Sequence, residues 1–294
     1  MVMPFSDLLQ LLIGGLTIGS IYGLVAVGFH IVFIATGVIN FATGEQVVLG
    51  GLLAVLFTTV LKVDLVTSFV LVAVSAAFLG LIIERLVVRP TIKISEISVI
   101  IATIALSIII QNVDVLIWGK EHISFPPFSK GDPVVFGGAV ISLHNFWVIG
   151  LTALIVIVLK LFFDYTFWGK VIKGSANNMT AARIVGVNTK WVIAGTFALS
   201  SMITAFAGII VAPITYAGGT LGTMLALKGF IAAILGGITS TNAVVLGGVL
   251  LGILEMLIAG FISSGYRDAI AIFILMVVLI IRPKGLFTFG EKAQ

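Results

Sequence analysis

The chain has 294 residues, 60% of them hydrophobic and only 10% charged. Soluble domains run at roughly 45–50% apolar and 25% charged, so a polytopic membrane protein is expected, without room for a separate soluble domain. Cysteine is absent, which excludes disulfides, thiolate catalysis and cysteine-ligated metals, and the net charge of +4 is distributed in a way that speaks for orientation rather than nucleic-acid binding.

A spanning helix takes about 20 apolar residues. The sequence predicts an all-α bundle, one transmembrane domain over 1–294, with eight or nine spans: 8–35, 47–61, 65–83, 97–117, 146–163, 191–216, 222–238, 243–262 and 269–281. The stretches 47–61 and 269–281 are short and call for tilt or re-entrance. No Lys or Arg precedes Lys62, so the amino terminus lacks a basic n-region and Leu8 onward reads as a retained first span. In that span Gly15, Gly19 and Gly23 recur every fourth residue, as do Gly248 and Gly252 later, a spacing best read as helix packing.

From Leu8 to Gly44 there is no charged residue, yet the run ends in Thr36-Gly37-Val38-Ile39-Asn40-Phe41-Ala42-Thr43-Gly44-Glu45. Irregular polar chain at membrane depth persists only where protein or a water-filled path surrounds it. Asn40, Phe41, Thr43, Gly44 and Glu45 are therefore candidates to line a solute pathway, with Asn40 able to satisfy freed backbone groups. Glu255, in the middle of a predicted span, joins them because intramembrane ionisable groups are costly; the alternative for it is a polar pin between helices. Lys228 lies near the entry to another span.

The segment 119–145 carries Pro126, Pro127, Pro133 and Gly137-Gly138 and reads as the largest extracytoplasmic excursion. The basic residues form three clusters beside hydrophobic runs: Arg85, Arg89 and Lys93, then Lys160, Lys170, Lys173, Arg183 and Lys190, then Arg282, Lys284 and Lys292. The positive-inside pattern places all three, and the carboxyl terminus, on the cytoplasmic side. Within the cytoplasmic loop 164–190, Asn178 is a cap for a helix starting at Met179, Ala181, Ile184 and Val185 make an apolar stripe, and Gly186 is the stop. So short a helix is unstable alone in water and must lie on the membrane, its own bundle or a partner. Arg267-Asp268 reads as a local charge pair. The three histidines lack metal-ligand spacing, and neither a metal site nor a catalytic nucleophile–base pair is expected.

The run Ala181-Ala182-x-x-x-Gly186 resembles the core of the loop by which ABC importer permeases dock on their ATP-hydrolysing subunits, with Thr180 where that motif has Glu. Further blocks agree: Gly19-Ser20-Ile21-Tyr22-Gly23-Leu24, Ile39-Asn40-Phe41-Ala42-x-Gly44-Glu45, Leu227-Lys228-Gly229-Phe230, Ser264-Gly265-Tyr266-Arg267-Asp268 and Arg282-Pro283-Lys284-Gly285. In order and nearly end to end, the chain is similar to the shorter permease subunit of branched-chain amino-acid (LIV-type) ABC transporters, with Thr43 where that family often has His. The resemblance implies an importer for branched-chain or other neutral amino acids in the bacterial or archaeal inner membrane. It also implies a second permease, homologous or identical, two cytoplasmic ATP-binding subunits that hold ATP and Mg, and an extracytoplasmic solute-binding protein. Asn178, Thr180, Ala181, Ala182, Arg183 and Gly186 become the expected ATPase-coupling residues. No G-x-x-x-x-G-K-[ST] phosphate loop occurs, since Gly169-Lys170 is followed by Val, so no cofactor is expected in this chain. Two other solute routes fit the same sequence: an ABC permease for urea, short amides or nucleosides, and an ion-coupled secondary transporter using Glu45 or Glu255.

Overall fold

In hydrocarbon a backbone must satisfy its own hydrogen bonds, which leaves the helix as the way to cross for a chain this apolar. The computed structural model describes residues 4–218 and 221–287, and helices carry most of them. In chain order they are α1 (Phe5–Thr36), α2 (Thr43–Val55), α3 (Leu65–Ile83), α4 (Arg89–Thr91), α5 (Glu96–Trp118), α6 (Leu143–Tyr165) and α7 (Phe167–Asn177). There follow α8 (Met179–Ile184), α9 (Thr189–Thr215), α10 (Leu221–Gly236), α11 (Thr241–Phe261) and α12 (Arg267–Ile281). π-helical turns, Leu56–Val60 and Glu84–Val88, prolong α2 and α3.

Among the described residues eight helices are long and apolar enough to cross a membrane, and α10, at 16 residues, is shorter. This reassigns the short elements. The predicted 47–61 begins earlier, at Thr43, and runs to Val60, while the predicted 269–281 gains the turn from Ser264. The element that falls short is the predicted 222–238, which as α10 spans about 24 Å. Its first turn starts inside the bundle: Gly222 is so close to the Glu45 carboxylate that a Cβ there would lie 2.6 Å from Cδ.

The core is built around α1, buried through most of its length from Gly15 to Ala35. Its closest neighbour is α11, and the glycine spacing seen in the sequence is what lets them touch. A Cβ on Gly15 would stand 2.6 Å from Ile253 Cα, and one on Gly19 would stand 2.7 Å from Val249 Cα. Helix α9 lies on α1, α2 and α3, with Gly50 meeting the backbone of Ala205.

The two ends of the bundle differ in charge. At the amino-terminal end of α1 a hairpin, β1 (Val134–Phe136) with β2 (Ala139–Ile141), turns through Gly137-Gly138 at φ of +57° and +84°, the geometry of a two-residue hairpin loop. Gln10 holds it: its Nε2 donates to Val140 O (3.2 Å) and its Oε1 accepts from Val140 N–H (3.1 Å). At the opposite end, Arg85, Arg89 and Lys190 share one groove, and Lys160 and Lys173 line a cavity beside the α10–α11 turn. Past α12, the N–H groups of Leu286 and Phe287 donate to Leu235 and Gly236, which brings Arg282 and Lys284 to the same face. The three clusters thus lie at one end; Lys292 is outside the described residues.

Replacing Gly19 by Val should force α1 and α11 apart and cost about 1–3 kcal/mol through overpacking. Gly195→Val is the control, because nothing lies within 4 Å of a Cβ there. Thermal unfolding of the detergent-purified protein should show a lower midpoint for the first variant and no change beyond a helix-neutral shift for the second.

Candidate solute pathway and coupling element

The break after α1 is built from local turn chemistry. Gly37, at φ +71°, ends α1 in the left-handed conformation and donates to Phe33 O at 2.7 Å. The chain then turns back so that Thr43 reaches Gly28, about two turns up α1 from Thr36. Several of the donors in the turn find protein acceptors, while the buried Asn40 Nδ2 has none among the described residues. Asn40 Oδ1 accepts from Ala42 N–H (3.1 Å), Asn40 O accepts from the Thr43 hydroxyl (2.6 Å), and Thr103 Oγ1 of α5 accepts from Phe41 N–H (3.2 Å). Phe41 packs on Phe230 of α10, ring centroids 5.8 Å apart.

Glu45, 1% exposed, follows in the first turn of α2. Its Oε1 accepts from Ser107 Oγ of α5 (3.4 Å) and Thr223 Oγ1 of α10 (3.3 Å). Asp114, about two turns farther along α5 than Ser107, is also buried. The break residues Asn40 to Glu45 are therefore buried together against α5 and α10.

Glu255 is elsewhere. It accepts from Tyr22 OH (2.9 Å) and pairs with Lys228 Nζ (3.1 Å), while Arg267 Nε stands 3.6 Å away. Lys228 also pairs with Asp268 Oδ1 at 2.7 Å. The expected local Arg267–Asp268 pair is replaced by a crossed network, because the start of α12 lies against α10 and α11 and each charge there finds a more buried partner. Helix α10 runs between the two sites, turning Gly222, Thr223 and Ala226 to α2 and Lys228 to Glu255.

At the basic end, α8 has the local form its residues dictate. Asn178 Oδ1 accepts from Ala181 N–H (2.8 Å), and Gly186, at φ +89°, ends the helix. Ala182 is buried, whereas Thr180, Ala181, Arg183, Ile184, Val185 and Gly186 are exposed. The Arg183 Nε donates to Thr189 Oγ1 (3.1 Å), which ties α8 to the first turn of α9.

Thr103, Ser107 and Asp114 escaped the sequence reading. The signal was present: they share one helical face of the predicted span 97–117, the face that the structure buries with Val99 and Ile110. Tyr22 carried no such signal, since a lone tyrosine in a span is ordinary.

Over residues 11–281 the chain matches the family described as branched-chain amino acid transport system / permease component. It is 30% identical to the high-affinity branched-chain amino acid transport system permease protein LivH of Salmonella typhimurium, covering 96% of each chain. It is 32% identical to the corresponding protein BraD of Pseudomonas aeruginosa, covering 95% of each. Among solved structures, PsaBC from Streptococcus pneumoniae in complex with Fab shares the fold, with a TM-score of 0.52 at 15% identity over 95% of this chain and 93% of that one.

Two outcomes test the geometry. Lys228→Met removes the nearest cation from the Glu255 carboxylate, leaving Arg267 at 3.6 Å, and should cost up to about 3–5 kcal/mol, part of which adding Glu255→Gln should recover; thermal unfolding of the purified protein measures both. Thr103→Val removes the acceptor of Phe41 N–H and should cost about 1–3 kcal/mol, with amide exchange at Phe41 faster than in Thr103→Ser.

Proposed function

The chain belongs to the branched-chain amino acid permease family and is a multi-pass inner-membrane subunit of an ABC importer, and from that premise we propose that it conducts branched-chain or other neutral amino acids. The match across nearly the whole chain carries this reading. The names of the relatives support the solute class, and the break from Thr36 to Glu45, enclosed by protein, supports a route beside it. Asn40, Phe41, Thr43, Gly44 and Glu45 border the route, with Thr103, Ser107 and Thr223 as their polar neighbours. Glu255 holds α1, α10 and α12 in register around it.

The basic face is the cytoplasmic one in this reading, since Lys and Arg concentrate on that side, and the carboxyl terminus lies there. A second permease completes the pathway, an extracytoplasmic binding protein delivers the solute, and two cytoplasmic subunits bind and hydrolyse ATP. Those subunits seat on α8, where Thr180, Ala181 and the apolar Ile184 and Val185 are free to meet them. Their closure moves α8 as a lever. The Arg183–Thr189 bond passes the motion to α9, and α9 reaches the break through Thr204, whose hydroxyl bonds Gln46 Oε1 at 3.2 Å. The lever works only if α8 fits one ATPase geometry better than the other, because a ligand shifts only the state it binds differentially.

Proteoliposomes holding the complete transporter should accumulate leucine, isoleucine or valine with ATP and binding protein. Accumulation driven by an ion gradient without the ATPase subunits would overturn the importer mechanism, and uptake of urea or a nucleoside in place of amino acids would overturn the solute. Ala181→Arg places a bulky charge on the exposed face of α8 and should abolish ATP-driven uptake while the protein still inserts and folds. Gly186→Val, strained by about 1–2 kcal/mol at its positive φ, should act in the same direction. Full uptake in both variants would refute the lever.

A further inference from the structure

At the basic end of the bundle a cavity of about 380 Å³ opens between α1, α6, α7 and the α10–α11 turn. Nothing in the transport reading uses it. Its charged groups are Lys160, Lys173 and Asp164; Lys173 Nζ is 2.5 Å from Asp164 Oδ1, and Lys160 forms no ion pair among the described residues. The cavity is net positive.

Its floor is the start of α11, a 21-residue helix. Ser240 stands at the cap position but makes no side-chain cap hydrogen bond, and Ser240, Thr241 and Asn242 of this opening turn line the cavity. Helix starts of this kind favour phosphate-like anions. His30 fixes the turn. Its Nδ1 is 2.6 Å from Ile238 O, a pure acceptor, so Nδ1 carries a proton, and Nε2 shares a hydrogen bond of 2.9 Å with the Thr241 hydroxyl. The polar rim is thereby held in place.

The surroundings are those of a membrane boundary. One turn deeper than Lys160 on α6 is Ile157, and one turn deeper than Asn242 on α11 is Leu246; both are exposed apolar side chains. Beside the cavity, α7 opens with exposed Phe167 and Trp168, residue types that gather at headgroup depth. A site with cations and amide donors above and bare aliphatic wall below matches an amphiphile with an anionic head. Basic pockets between membrane helices are known to take such headgroups.

We propose that this cavity binds the phosphodiester headgroup of an anionic phospholipid, with its acyl chains lying over Ile157 and Leu246. The complete transporter, purified in neutral detergent, is titrated with short-chain phosphatidylglycerol, with phosphatidylcholine of the same chains, and with inorganic phosphate. Native mass spectrometry and the thermal midpoint are read in parallel. Phosphatidylglycerol adducts that survive desolvation and raise the midpoint are expected, with phosphatidylcholine and phosphate having little effect. Lys160→Gln should weaken the phosphatidylglycerol response about fivefold while its midpoint without lipid stays at the wild-type value, and Lys160→Glu should remove it.

Equal responses to both lipids would overturn the proposal, as would an unchanged response in both lysine variants. Protection by phosphate alone would make this a free-anion site. A response present in the permease pair but blocked once the ATPase subunits are bound would make it a protein contact. Either result overturns the lipid assignment.

Discussion

A polar group that this chain carries into hydrocarbon can gain a partner only inside the protein, because the solvent there offers none. That single constraint shapes the features that set the bundle apart from a stack of greasy helices. The turn after α1 exists because Asn40 and Thr103 take up the donors it frees. Lys228 and Glu255 are tolerated because each neutralises the other and Tyr22 donates to the pair. Where no polar group is available, contact has to come from shape, and the glycines of α1 and α11 supply it by letting two backbones meet.

The constraint also explains how rigidity and mobility are divided. Helix α1 is held on most sides, by α11 through glycine contacts and by α9 through the Ser200 hydroxyl, which donates to Gly28 O at 2.8 Å. Around this fixed post, α2 and α10 begin inside the bundle and meet at Glu45. Helix α8 is different again. Six residues cannot form a stable helix alone in water, and its hold on the rest is Ala182 and the Arg183–Thr189 bond. A partner that completes its packing gains leverage on α9 and, through Thr204 and Gln46, on the break itself.

The two carboxylates singled out in the sequence now differ in kind. Glu255 is locked in a network with two cations, and its role in the fold is to draw α10, α11 and α12 together. Glu45 has only hydroxyl partners and lies at the end of the break. Hydroxyls stabilise a carboxylate far less than a cation does, which leaves Glu45 the more responsive of the two to whatever enters the bundle.

The sequence by itself determined what depends on neighbouring residues. Its hydropathy fixed the membrane class and most spans, Gly37 and Asn40 marked the break, Asn178 and Gly186 bounded α8, and the Lys and Arg clusters marked a single face. Each of these is a local property, decided by side-chain chemistry within a turn or two. Tertiary structure alone decided the partners: Lys228 and Arg267 for Glu255, Lys228 for Asp268, Thr103 for Phe41, and Gly222 of α10 for the Glu45 carboxylate. Those pairings join residues from 12 to 177 positions apart, and they depend on how each helix is rotated about its axis. In a chain apolar on nearly all faces, hydropathy carries almost no information about that rotation.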